Sequence, residues 1–237
     1  MAILRLDGIG KRFSGVVAVK DVDLVVATGE LLGLFGPNGA GKTTMFNLIA
    51  GALYPDAGRI LFEDADITRL PAFRRARLGI GRTFQVVRPF RALSVLDNLL
   101  AAVPSAGAVE GGSADPHAIL AQVGLAERAG DPTGVLTLGM LKRLEVARAL
   151  ALSPKLLLLD EPLAGLTGKE AADFLAFIAT LKSRISIIMV EHNVRLSLPV
   201  CDRAVVMDAG VVIAEGPPEA IRRNPEVIRA YLGEGGE

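Results

Sequence analysis

Short apolar runs alternate with amphipathic stretches along the whole chain. Leu31–Phe35, Leu156–Leu159 and Ile185–Val190 are continuous hydrophobic runs of the length and character of strands buried on both faces. Lys169–Ser183 reads as a helix between the last two, and Val194–Val200 as a short helix after them. This alternation predicts parallel β-α-β units with right-handed crossovers. Ile3–Leu6 and Val22–Val26 read instead as strands of a small antiparallel sheet, with a turn at Gly10–Gly15 between them. Tyr54–Gly58 has turn chemistry and Arg59–Phe62 reads as another short strand. Pro71 opens a short helix through Arg77, and Leu78–Phe84 is a strand candidate running into Gln85. Near the end, Ala204–Asp208 and Val211–Glu215 predict a hairpin across Ala209-Gly210. Helices at Glu219–Arg223 and Pro225–Leu232 and a Gly-rich tail follow.

The pattern changes after Gln85. Ser94 is placed to cap a helix through Ala101, Val103–Asp115 reads as a Gly/Ala/Ser-rich loop, and Asp115-Pro116 is a cap with a first-turn proline. A helix after Thr137 puts Leu141, Leu144, Ala147, Leu150 and Ala151 on one face. Arg88–Leu152 is therefore expected to be all-helical, an insertion between strand-rich segments.

Composition narrows the function classes. The 26 basic and 26 acidic side chains balance, so no broad field draws in nucleic acid or anionic lipid, and no nucleic-acid partner is expected. Hydrophobic residues make up 51%, yet no run approaches the ~20 residues of a membrane helix. The first residues alternate like a strand and lack a signal peptide's apolar region. The single cysteine, Cys201, reads as a small buried apolar residue and suits a reducing cytosol. A soluble intracellular protein is the expectation.

Gly36-Pro37-Asn38-Gly39-Ala40-Gly41-Lys42-Thr43-Thr44 fits G-x-x-x-x-G-K-[ST]. A predicted strand feeds it, and a helix from Thr43 to Ala50 leaves it toward Gly51. Glycines let successive N–H groups point into one concavity, and the helix N-terminus adds its positive end, which suits a di- or triphosphate. Lys42 is expected to reach the β/γ-phosphates and the Thr43 hydroxyl to ligate Mg²⁺. Three further apolar runs end in polar residues: Phe84 in Gln85, Leu159 in Asp160-Glu161, and Val190 in Glu191-His192. In parallel α/β sheets ligands sit beyond the carboxyl ends of the strands, so these groups are expected around one phosphate chain. Asp160 reads as a metal-site carboxylate, Glu161 as the base that orients or deprotonates water, and His192 as a donor to the γ-phosphate. Gln85 would sense that phosphate through Mg²⁺ or water. Viewed singly, each has a plain alternative as a solvated strand end or a structural side chain.

The phosphate loop, Gln85, Leu136–Glu145, Asp160-Glu161 and His192 stand in the order seen in ABC-transporter ATPase subunits, and the resemblance covers nearly the whole chain. Gly79–Gln85, Ser94–Asn98, Ile213–Gly216 and Asn224–Gly233 resemble the ATP-binding subunits of branched-chain amino-acid importers. His192-Asn193-Val194-Arg195 also resembles the lipopolysaccharide-export ATPase, the nearest rival. The resemblance implies an α/β P-loop NTPase core with a parallel sheet, an N-terminal antiparallel β subdomain and an inserted helical subdomain. Within the single domain, 1–87 and 153–237 would form the catalytic core and 88–152 the helical signature subdomain. It further implies Mg²⁺-dependent ATP hydrolysis in a head-to-tail homo- or heterodimer. Each ATP would lie between one subunit's phosphate loop and the other's signature, here Thr137 and Gly139, with Phe13 stacking on adenine. Transmembrane permease subunits would be the partners, with a periplasmic substrate-binding protein in an importer complex. The chain would then sit peripherally on the inner face of the cell membrane, docking through Gln85–Arg91. A non-transport ABC ATPase module is a third class, disfavoured by the lack of tandem cassettes or long insertions. Two departures stand out: Met140 replaces the usual signature Gln, and Thr167 stands where many relatives carry Asp.

Overall fold

The computed structural model describes residues 1–84, 87–102 and 115–232. Strand β1 (Ala2–Phe13) turns at Ser14-Gly15 into β2 (Val16–Ala27), and β3 (Leu31–Phe35) then leads into the phosphate loop and α1 (Lys42–Ala50). Next come β4 (Ala57–Phe62), β5 (Ala65–Asp66), α2 (Ala72–Leu78) and β6 (Ile80–Arg82). The described residues before the next strand form α3 (Val95–Leu100), α4 (Pro116–Gln122) and α5 (Leu138–Leu150), with two single 3-10 turns and no strand. The chain finishes with β7 (Leu156–Asp160), α6 (Gly168–Leu181), β8 (Ser186–Val190), α7 (Val194–Ser197), β9 (Arg203–Asp208), β10 (Val211–Gly216), α8 (Pro218–Arg223) and α9 (Pro225–Leu232).

Two sheets result. The antiparallel one runs β2-β1-β4-β5, and the larger runs β10-β9-β3-β8-β7-β6, parallel except for the β9–β10 hairpin. Period-two alternation divides each central strand between two cores. Leu32, Leu34, Leu156, Leu158, Ile188 and Val190 pack with α1 and the antiparallel sheet. Leu31, Phe35, Leu157, Leu159, Ile187 and Met189 face α5, α6 and the C-terminal helices on the other side. The parallel order places the ends of β3, β8 and β7 side by side, so the phosphate loop and both polar strand ends share one edge of the sheet.

Two expectations need correction. The expected turn at Gly10–Gly15 is mostly strand: β1 continues through Phe13, and register shifts along β1 break the alternation that would have marked its length. The Leu78–Phe84 strand is only Ile80–Arg82, because Leu78 ends α2 and Gly79 caps it in the left-handed region. The Val103–Asp115 loop lies outside the described residues except for Asp115, whose side chain caps α4 by accepting from the His117 N–H.

Candidate nucleotide site

The phosphate loop depends on glycines where its backbone packs too closely for a side chain. Gly36 and Gly41 have φ of 143° and 98°. A Cβ on Gly36 would lie 2.1 Å from the Met207 carbonyl oxygen, and one on Gly41 would lie 2.2 Å from that of Ala18. Neither position admits a side chain, for conformation and for space. Pro37 and Ala40 are buried while Asn38 and Gly39 are exposed, so the crest of the loop stands at the surface. Lys42 is buried, and its Nζ donates to the carbonyls of Gly36 and Pro37 at 2.7 and 2.6 Å, which holds the ammonium inside the loop. No side chain caps the N-terminus of α1 and no acidic residue occupies its first turn. The positive end of the helix therefore faces the loop's concavity, a donor set that fits phosphate oxygens. Thr43 is exposed at this mouth and Thr44 is half-buried.

The opposite wall is the end of β7. Asp160 is buried, and desolvation pushes its carboxyl above the usual range while the Arg82 guanidinium opposes that rise. Arg82 Nη2 donates to Asp160 Oδ2 at 3.2 Å. Glu161 follows in the left-handed region, φ 45°, an unfavourable conformation for a residue with a Cβ. That turn carries its carboxylate away from Asp160 to His192, whose Nε2 lies 2.8 Å from Glu161 Oε1. Beside this pair Glu191 is buried, its carboxyl raised by desolvation and restrained by backbone N–H donors, including Leu163 at 2.7 Å. Lys142, on α5, is also buried, its ammonium drawn down by desolvation, and it donates to the Glu161 carbonyl at 3.3 Å. The Thr43 hydroxyl and the Asp160 carboxylate are hard oxygen donors of the kind Mg²⁺ takes together with phosphate oxygens.

The remaining predicted residues are distributed. Phe13 is 43% exposed, with Lys11 Nζ 5.5 Å from its ring centroid, on the β1–β2 hairpin whose Ala18 abuts Gly41. Thr137 caps α5 by accepting from the Met140 N–H at 3.3 Å. A Cβ on Gly139 would meet Leu166 at 3.8 Å and Glu170 at 3.9 Å, so this corner packs on the α6 approach. Gln85 lies outside the described residues. Thr167 caps α6 in a reciprocal pair with Glu170, which gives a local reason for Thr at that position. Sequence reasoning placed Glu191 at a strand end beside the site but did not find Arg82 or Lys142 as its neighbours. Nor did it find Tyr231, whose hydroxyl accepts from the Gly36 N–H at 2.8 Å and ties α9 to the phosphate loop.

A glycine loop between a parallel strand and a helix, facing a carboxylate at a neighbouring strand end, is how P-loop nucleotide hydrolases are built, and this molecule is of that class. Residues 19–164 match the ABC transporter family model, and residues 211–237 match a model described as branched-chain amino acid ATP-binding cassette transporter. The chain is 40% identical to the high-affinity branched-chain amino acid transport ATP-binding protein LivG of Escherichia coli K12, covering 98% of each. It is 39% identical to BraF of Pseudomonas aeruginosa, again over 98% of each. The lipopolysaccharide export system ATP-binding protein LptB of E. coli K12 is 41% identical over 99% of this chain and 98% of its own. A crystal structure of the ADP conformation of an ATP-binding cassette of an ABC transporter superposes with TM-score 0.89 at 32% identity, covering 98% of this chain and 99% of that one. The chain belongs to the ABC transporter ATPases.

Proposed function

We propose that this chain binds and hydrolyses ATP to energise a transporter for branched-chain or related amino acids. The juxtaposition of the phosphate loop, Asp160 and the Glu161–His192 pair at one edge of the parallel sheet carries the reading. Residues 36–44 and the α1 N-terminus hold the phosphates, Lys42 swings from its loop carbonyls to the β/γ-phosphates, and Phe13 carries the adenine. Thr43, Gln85 and Asp160 would hold Mg²⁺, which when bound supplies positive charge against the charge developing on the phosphoryl oxygens. Glu161 orients the attacking water and takes its proton, with His192 fixing the carboxylate and donating toward the γ-phosphate. Thr137 and Gly139 of a second ABC ATPase copy close the site, and residues 88–152 move as the helical unit that carries them.

No helix among the described residues is long and apolar enough to cross a membrane, so transport work requires permease subunits. A groove of about 320 Å³ lined by Phe73, Ala76, Ile80, Arg82, Phe84 and Leu152 is the surface we assign to them. Phe73 and Phe84 are 58% and 63% exposed there, an apolar area suited to a partner helix. Phe90, within the docking stretch expected from sequence, is also exposed, with the Arg148 guanidinium against its ring.

The test is Mg²⁺-dependent ATP hydrolysis by the parental protein together with co-purification from detergent-solubilised membranes. Lys42→Ala is expected to reduce turnover at least 100-fold. Permease chains and a substrate-binding protein in the purified complex support amino-acid import. The LptB identity supports a second reading, lipopolysaccharide export, which predicts lipid-export partners instead.

A further inference from the structure

Arg82 is the last residue of β6 and, apart from lining the groove, has no part in the catalytic or metal-holding roles assigned above. Its guanidinium reaches two elements at once: Nη1 donates to Asn47 Oδ1 at 2.7 Å and Nη2 to Asp160 Oδ2 at 3.2 Å. The same group lies over the Phe46 ring at 4.8 Å and the Phe84 ring at 5.5 Å, so aromatic contacts hold it in place. Asn47 stands four residues after Thr43, one turn along the same face of α1. Arg82 therefore spans from the helix that carries one proposed metal ligand to the strand end that carries the other.

We propose that Arg82 is a positioning residue for the metal site, a brace that fixes the gap between Thr43 and Asp160. Three features point this way. Asp160 gives only Oδ2 to the arginine, which leaves Oδ1 for a cation or its water. Arg82 Nε is buried with no hydrogen-bond partner, so the side chain adopts the geometry that bridges Asn47 and Asp160 at the expense of satisfying all its own donors. Only a planar fork serves both acceptors at once; a lysine ammonium is shorter in reach and has no fixed plane. Arg82 also lines the groove beside Phe73 and Phe84, which places the brace between that surface and the metal site.

The proposal rests on the metal–nucleotide reading of the site and makes a signed prediction. A guanidinium acting only as a neighbouring positive charge repels a divalent cation, so its removal would tighten metal binding; a brace predicts the reverse. Mn²⁺ replaces Mg²⁺ as a paramagnetic probe, and its binding with ADP is titrated by electron paramagnetic resonance. ADP binding in EDTA is measured in parallel. Arg82→Gln is expected to weaken Mn²⁺ binding about tenfold and to leave metal-free ADP binding within twofold. Arg82→Lys should recover only part of the loss. Asn47→Ala should weaken Mn²⁺ binding in the same direction and add little in the Arg82→Gln background. Should Arg82→Gln fail to fold, Asn47→Ala carries the test alone. Unchanged or tighter Mn²⁺ binding in the folded variants overturns the brace, as does an equal loss of metal-free ADP binding. A parental protein whose Mn²⁺ binding is no tighter with ADP than without it overturns the reading of the site itself, and the brace with it.

Discussion

Asp160 and Glu161 are neighbours in sequence, yet the left-handed backbone at Glu161 sends one carboxylate to Arg82 and the other to His192. Two like-charged groups thus acquire separate environments and separate proposed tasks. Cys201 shows the opposite case, a titratable group made inert. Its thiol donates to the Ser197 carbonyl, and burial, with Asp202 adding to it, pushes its pKa from 9.0 up to about 12. The folded chain therefore keeps this proton at pH values where the unfolded chain gives it up. Stability contributed by the neutral thiol is complete below pH 9 and declines as pH rises from 9 toward 12. The expected slope is about 1.4 kcal/mol per pH unit once the unfolded thiol is ionised. Urea unfolding at pH 8 and pH 10 should show this loss in the parental protein and lack it in Cys201→Ala. At pH 8 a disulfide reagent should modify the native thiol only as fast as the chain unfolds. The phosphate loop, Asp160, Glu161 and His192 were legible because each is a short linear signal at the end of an apolar run. Arg82 was not, since its meaning depends on Asp160, 78 residues away. Glu191 looked like one more strand-end carboxylate, and only its burial beneath Leu163 sets it apart.

Helix α1 starts at the phosphate loop with an uncapped N-terminus, so its other end must hold it firmly. Arg75, fully buried on α2, supplies that anchor. Its guanidinium donates to the carbonyls of Leu48 and Ile49 in the last turn of α1, and to those of Thr68 and Leu70. A cation at the negative end of a helix is well placed, and burial lowers its pKa only to about 10, so it stays charged at neutral pH. Arg75→Met should strand several buried carbonyls and destabilise the fold by about 3 kcal/mol, read as a lower urea midpoint. Lys should rescue only a fraction, because an ammonium cannot span four acceptors arranged around a planar fork. The sequence showed α1 through the phosphate loop and Gly51, and α2 through Pro71, but not this link. An arginine in a short polar helix resembles a solvated residue until its burial is seen. The long β1–β2 hairpin was under-read for a related reason. Its bulges and the left-handed Gly8 and Asp21 interrupt the alternation on which a strand assignment depends.

At the scale of the whole molecule, two hydrophobic cores clamp one parallel sheet, and the clamping keeps the ends of β3, β8 and β7 level. The sheet order that brings the site together follows from strand-to-strand crossovers and was anticipated in kind from the alternating pattern. Which strands adjoin was not, because three continuous apolar runs carry no mark of their neighbours. The tie from Tyr231 to Gly36 closes the chain's far end onto the same site. The Thr137–Gly139 corner packs instead against the approach to α6 in its own chain. A second copy supplying that corner is therefore the step that completes the proposed cycle, and slowing hydrolysis should make it visible. Glu161→Gln keeps the residue's size and removes its basicity. With ATP and Mg²⁺, light scattering on the purified variant should show a species of twice the monomer mass that persists while turnover falls at least 100-fold. A Glu161→Gln protein that stays monomeric and hydrolyses ATP at the parental rate would contradict the account.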